Sequence, residues 1–90
     1  MKKLQYCVYV LRSLEDGKLY IGFTTNLNRR LSEHMNGYNK STSPRRPFEL
    51  LFAEYYKAKG DALRRESYFK SQKGKRALKL MLKDSLLDPE

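Results

Sequence analysis

Four residues of this chain have types and spacings that can do chemistry together: Tyr9, Tyr20, Arg30 and Glu66. Phenols can orient or deprotonate a water, a guanidinium can neutralise a phosphoryl oxygen, and a carboxylate can hold a hard cation. Arg30 sits in "NLNRRLSEHM" (26–35), beside a second arginine. At about 100° per residue of helix, Leu27, Leu31 and Met35 form one stripe, and His34 lies on it. Arg30 flanks that stripe, between Leu27 and His34, whereas Arg29 points away. An arginine that lays its stem over the core and sends its head to water would look the same on this helix alone.

The two tyrosines depend on hairpin register. "SLEDGK" (13–18) is a turn with Gly17 suited to positive φ. A two-residue turn at Asp16-Gly17 and a turn with a bulge at Gly17 both set residues of unlike parity opposite each other. Tyr9 and Tyr20 then share a face. Gly22 would let a backbone or ligand approach closely. Glu66 lies four residues after Ala62 and three before Phe69, within the apolar side marked by Ala62, Leu63 and Phe69. A charge there requires a cationic partner, which can be Arg, Lys or a metal ion; a structural salt bridge satisfies the same demand. No Ser-His-Asp arrangement, Gly-rich phosphate loop or zinc spacing is present. A single carboxylate suits one hard cation such as Mg²⁺, held mostly by water and phosphate oxygens.

The elements that must position these residues are few. "LQYCVYVLR" (4–12) reads as a strand, apolar at both parities and so covered on both faces. "KLYIGF" (18–23) pairs with it as a hairpin. "TTN" offers caps for a helix through Asn36, with Gly37 beyond its end. Residues 37–47 form a polar, basic loop, and 48–56 a third strand. Asp61 is placed to cap a helix over 62–73, interrupted at Gly74. The last helix, 75–83, carries Ala77, Leu78, Met81 and Leu82 on one stripe. The tail, 85–90, is acidic and expected to fray. The reading is a single domain over 1–84 of class α+β, a small antiparallel sheet flanked by helices in the order β-β-α-β-α-α.

Composition points to a polyanion as partner. The 90 residues carry 19 Lys and Arg against 10 Asp and Glu, a formal charge of +9. Most of the excess falls in 57–83, where Lys57 through Lys83 supply ten basic residues against Asp61 and Glu66. Nucleic acid is the commonest ligand of such a field. Cys7 stands alone, so neither a disulfide framework nor a cysteine metal cluster is available. The basic then apolar N-terminus is too short and too interrupted for a signal peptide or membrane span. A cytoplasmic protein, monomeric and without a small-molecule cofactor, is the expectation.

The chain resembles the GIY-YIG nuclease domain through "CVY" (7–9), "YIG" (20–22), "NLNRRLSEH" (26–34) and "RRESYFK" (64–70), in that order and over nearly its whole length. It is most like the small stand-alone bacterial members. The resemblance implies a three-stranded antiparallel sheet flanked by helices and hydrolysis of phosphodiester bonds with one divalent ion, Mg²⁺ or Mn²⁺. It matches Tyr9 and Tyr20 to the tyrosines of the two motifs, Arg30 to the helix arginine, His34 to a position near the site, and Glu66 to the metal-binding glutamate. The first motif lacks its glycine here, but its tyrosine is intact. Lys40, Arg45 and Arg46 of the loop, with Lys70, Lys73, Lys75 and Arg76 of the C-terminal run, would hold phosphates without reading sequence. DNA is favoured over RNA as substrate. The alternatives are a non-catalytic nucleic-acid-binding module of the same fold and a domain that docks an acidic protein partner.

Overall fold

The structure is a computed structural model that describes residues 2–38 and 42–87. Strand β1 (Tyr6–Ser13) lies between β2 (Leu19–Thr24) and β3 (Phe48–Tyr56) in an antiparallel sheet of order β2-β1-β3. Its central place explains why β1 is apolar at every position from Cys7 to Leu11: Cys7, Tyr9 and Leu11 are buried on one face, Val8 and Val10 on the other. The hairpin takes the bulged turn, with Gly17 at φ +74° and its N–H donating to the Ser13 carbonyl. Tyr9 therefore pairs with Gly22 and Leu11 with Tyr20, so the two tyrosines do share a face. On the other side of β1, a bulge between the Val10 and Leu11 pairings adds Leu51 to β3.

Helix α1 (Leu27–Met35) covers the tyrosine face, with Leu27 and Leu31 against Tyr9 and Leu11. The Asn26 side chain caps it by accepting from the Arg29 N–H, and Gly37, at φ +75°, follows its end. The opposite face carries α2 (Lys59–Lys70) and α3 (Gln72–Met81), whose Ala62, Phe69 and Leu78 close over Val8, Val10 and Ile21.

Several expectations are corrected here. Helix α2 begins at Lys59, before Asp61, with Ala58 at the cap position and no side-chain cap. Asp61 instead lies in the first turn, where a negative charge suits the helix end. The helix break is at Ser71 rather than Gly74. Ser71 is extended and serves both helices: its hydroxyl donates to the Tyr68 carbonyl (2.6 Å) and accepts from the Gly74 N–H (3.1 Å). Gly74 lies inside α3, where a Cβ would stand 1.7 Å from the Tyr68 carbonyl oxygen, so its glycine serves a close approach. Leu63 and Met35, expected inside, are exposed; Met35 ends α1, and its inward place is taken by His34. Beyond 83 the chain does not fray at once: Lys83–Leu87 form a fourth helix, α4. Leu86 packs on the core, and its carbonyl accepts from Arg12 Nη1 at 3.0 Å. Arg12 also pairs with Glu49 at 2.6 Å.

Candidate active site

Tyr9 is wholly buried at the middle of β1, and its ring lies across Gly22 on the edge strand. A Cβ at Gly22 would fall 2.3 Å from both Cζ and the phenolic oxygen of Tyr9. The missing side chain is thus the space the phenol occupies. From there the Tyr9 hydroxyl reaches His34 Nε2 at 2.9 Å, and His34 Nδ1 reaches the Thr42 hydroxyl at 2.9 Å. His34 and Thr42 are both buried. Tyr20, half-buried, sets its ring centroid 5.0 Å from the imidazole and 6.4 Å from Tyr9. Phe48 packs edge-on against the imidazole from β3. Thr42 is the member of this chain of contacts that the sequence did not disclose. It sat in a serine- and proline-containing loop with no periodicity to mark it as buried.

The arginine pair is asymmetric as the helix wheel requires. The Arg29 side chain is 65% exposed and that of Arg30 33%. Glu33 lies between them, with its Oε1 3.1 Å from Arg30 Nε. The separation is that of an ion pair, but Arg30 Nε is buried and does not direct its hydrogen at a protein acceptor among the described residues. Glu66 is on α2, the helix of the other face, with a side chain 20% exposed. Its Oε2 accepts from Lys70 Nζ at 3.2 Å, one turn later. The cation demanded by its inward position is therefore a lysine, itself 55% exposed.

Electrostatics tie these groups together. Burial pushes the Tyr9 phenol up to about 12, and the neighbouring Tyr20 adds to the rise. The Arg30 guanidinium pulls it back in part, and the Glu66 carboxylate raises it slightly. Burial, and then the charge of Arg30, hold His34 below its ordinary value, against an opposing pull from Glu33. At neutral pH the phenol keeps its proton and the imidazole is neutral. With Nδ1 donating to Thr42, Nε2 is free to accept from Tyr9; the opposite tautomer reverses both bonds. Either way the three side chains form one continuous proton path from a phenol to a buried hydroxyl.

The basic residues separate into groups. Lys70 faces Glu66. Arg45 and Lys75 line a cleft beside β2 and do not join the Tyr9 cluster. Lys73 and Arg76 are exposed on α3. Arg46 directs its guanidinium at the Ser43 carbonyl (3.0 Å) and the Met35 carbonyl (3.5 Å), holding the loop against the end of α1. Lys40 lies outside the described residues. Among the described residues, no group of three or more His, Cys, Asp or Glu converges, and no helix is long and apolar enough to cross a membrane.

The profile of the GIY-YIG catalytic domain matches residues 5–79. A UPF0213 protein of Staphylococcus epidermidis is 37% identical over 78 residues, 86% of this chain and 94% of its own. A UPF0213 protein of Streptococcus agalactiae is 41% identical over 73 residues, 80% of this chain and 82% of its own. The solution NMR structure of a UPF0213 protein from Bacillus halodurans is similar in fold, with a TM-score of 0.55 at 33% identity, covering 87% of this chain and 85% of that one. A match that runs from β1 to α3 and takes in both tyrosines, Arg30, His34 and Glu66 places this chain in the GIY-YIG family, whose domain is that of a nuclease superfamily.

Proposed function

We propose that this protein is a metal-dependent endonuclease that hydrolyses phosphodiester bonds in nucleic acid, with DNA favoured over RNA. The observation that carries this reading is the buried Tyr9–His34–Thr42 path, with the charges of Arg30 and Glu66 bearing on the same phenol. A binding module needs a basic surface; it has no use for a phenol sealed against a neutral imidazole.

The raised Tyr9 phenol shapes the mechanism. Burial favours the protonated phenol, so Tyr9 is suited to work as a relay. Tyr9 is closed to water in this structure, so the relay requires substrate to open the phenol. As water then attacks phosphorus, it gives its proton to the Tyr9 oxygen while the Tyr9 proton moves to His34 Nε2. The bond from phosphorus to the leaving oxygen breaks, and that oxygen takes a proton from solvent. Arg30 is set to donate to the phosphoryl oxygens as charge grows on them. Tyr20 packs on the imidazole and keeps the Tyr9–His34 geometry. Glu66 fits a cation that takes most of its ligands from water and phosphate: it is a single, mostly buried carboxylate whose lysine partner is exposed and can swing away. Glu66 would hold one Mg²⁺ or Mn²⁺, which supplies Lewis-acid polarisation of a phosphate oxygen and stabilisation of the leaving oxygen.

The test compares wild type with Glu66→Ala on labelled linear, flapped and branched DNA and on RNA, in Mg²⁺, Mn²⁺ or EDTA at low salt. Cleavage by wild type alone, abolished by EDTA, is the expected result and names the substrate class. Equal binding by both proteins without cleavage of any substrate would sink the enzyme and leave a nucleic-acid-binding module.

A further inference from the structure

On the side of β2 away from Tyr20, a cleft of about 430 Å³ opens between the hairpin turn, the short helical turn Ser43–Arg45 and α3. Leu19 and Ile21 form its floor, and Lys18, Arg45, Lys75 and Lys79 stand around it. Lys75 and Lys79, one turn apart, share one side of α3. Lys75 and Lys79 form no ion pair among the described residues, so their charge is turned on the cleft and solvent, while Lys18 acts in part on Asp16. Asp16 stands beside two of these cations: its Oδ2 is 3.3 Å from Arg45 Nε and its Oδ1 accepts from the Lys18 N–H at 2.9 Å.

The walls are held in place. The buried Ser13 hydroxyl donates to the Arg45 carbonyl at 2.5 Å and accepts from the N–H groups of Glu15 and Asp16, pinning the hairpin turn to the Ser43–Arg45 turn. Arg45 also donates its N–H to the Thr42 carbonyl, and Thr42 is the end of the Tyr9–His34 path. Cleft and candidate active site are thus back to back across the edge strand, joined through residues 42–45.

We propose that this cleft is a nucleotide subsite: cationic groups take a phosphate, and the aliphatic floor takes the face of a base or sugar. Its volume is in the range of small-ligand sites. The inference rests on the reading of this chain as a nucleic-acid-acting protein, but it concerns binding and does not require hydrolysis. The nucleotide can come from a strand that crosses β2 or from the free pool.

The test uses the full chain carrying Glu66→Ala, so that nothing is cleaved, followed by amide NMR during titration with inorganic phosphate, thymidine 5′-monophosphate and hexathymidylate. Thymidine monophosphate is expected to shift the amides of Gly17–Leu19 and Lys75–Lys79 and to bind about tenfold tighter than phosphate, because only it covers the apolar floor. Lys75→Ala with Lys79→Ala should weaken it about tenfold, two charged contacts being lost, with an unchanged amide spectrum elsewhere. Lys83→Ala, an equal loss of charge per site outside the cleft, should change binding less than about twofold. Asp16→Asn, which keeps an acceptor for Lys18, should tighten binding by freeing Arg45. The same shifts at lower concentration of hexathymidylate would identify the strand as the source; equal concentrations would identify the free nucleotide. Phosphate binding as tightly as the nucleotide, losses in Lys83→Ala matching those in the double variant, or no cleft shifts at millimolar ligand would each overturn the subsite.

Discussion

The two faces of the sheet are built on different principles. The face under α2 and α3 is closed by Val8, Val10, Ile21, Phe69 and Leu78, all apolar, and its polar groups lie at the margin. Arg65 there spreads its guanidinium 4.3 Å from the centroid of Phe69 and pairs with Glu54 at 2.7 Å, and Glu54 accepts from Tyr56. The face under α1 buries a phenol, an imidazole and a threonine in one hydrogen-bonded line, with Cys7, Leu11 and Phe48 around them. Apolar contacts do not depend on direction, whereas a buried polar line must be satisfied at each link. One face should therefore respond to lost volume and the other to lost geometry or a changed proton.

The largest stability effect is expected on the apolar face. Phe69 is fully buried, and Phe52 meets it edge-on. Phe69→Ala should cost about 3–5 kcal/mol, the sum of transfer and cavity terms, a large share of what a small domain has. The urea midpoint of unfolding measures it. A loss below about 1 kcal/mol would show that this face collapses around the cavity, and the contrast between the faces would fall.

Gly22→Ala is expected to cost less stability and more chemistry. Its Cβ must displace the Tyr9 ring, since nothing else can move out of a 2.3 Å contact. The destabilisation should be about 1–3 kcal/mol, as for other overpacked sites. Cleavage, where wild type cleaves, should fall with it to the level of Tyr9→Phe. The imidazole signals of His34 should shift in both variants. An alanine that leaves those signals unchanged would place Tyr9 elsewhere.

A third effect follows from the proton. His34 is the one histidine of the chain, so a pH dependence between 5 and 7 has a single side-chain source. Its folded value lies below the unfolded one because burial and Arg30 oppose the charged form. The unfolded chain therefore binds more protons in that window, and stability rises with pH. The contribution is complete above the ordinary histidine value and is lost as pH falls from there through the folded value. The slope cannot exceed about 1.4 kcal/mol per pH unit for one proton. Thermal unfolding of wild type and His34→Gln across this range should show the slope in the first and its absence in the second. The apolar face predicts no such slope, and Phe69→Ala should keep it.

Much of the site was legible because it rests on short-range rules. Asp16-Gly17 sets the hairpin parity, and parity puts Tyr9 and Tyr20 on one face. Helical spacing separates Arg30 from Arg29, and the apolar neighbours of Glu66 announce its need for a cation. What escaped depends on long-range contact. Thr42 is buried with its hydroxyl against His34 of α1, a contact that nothing in its own sequence neighbourhood shows. Ser71 outcompetes Gly74 as the break because one hydroxyl can serve two helix ends, while Gly74 is reserved for a close approach. Helix α4 is held by distant contacts: Leu86 packs on the core and its carbonyl accepts from Arg12 on the central strand.

The smallest effect lies within the pair of arginines that begins α1. Arg29 is largely exposed and sits 3.8 Å from Glu33, an ion pair at the limit of contact on a solvated surface. Arg29→Ala should change stability by less than about 0.5 kcal/mol and leave the His34 titration in place. Arg30→Ala, one residue on, should be nearly as mild for folding, since its charge is partly solvated. Its effect should appear instead in the two groups it influences: His34 should titrate at higher pH, because a neighbouring positive charge no longer opposes protonation, and Tyr9 should rise further. An NMR titration of the imidazole in both variants separates them. If Arg29→Ala moves His34 as far as Arg30→Ala does, the field of the whole basic surface sets the imidazole, and the inward placement of Arg30 has no special consequence. If only Arg30→Ala moves it, one side chain at the edge of an otherwise ordinary helix governs the proton on the polar face.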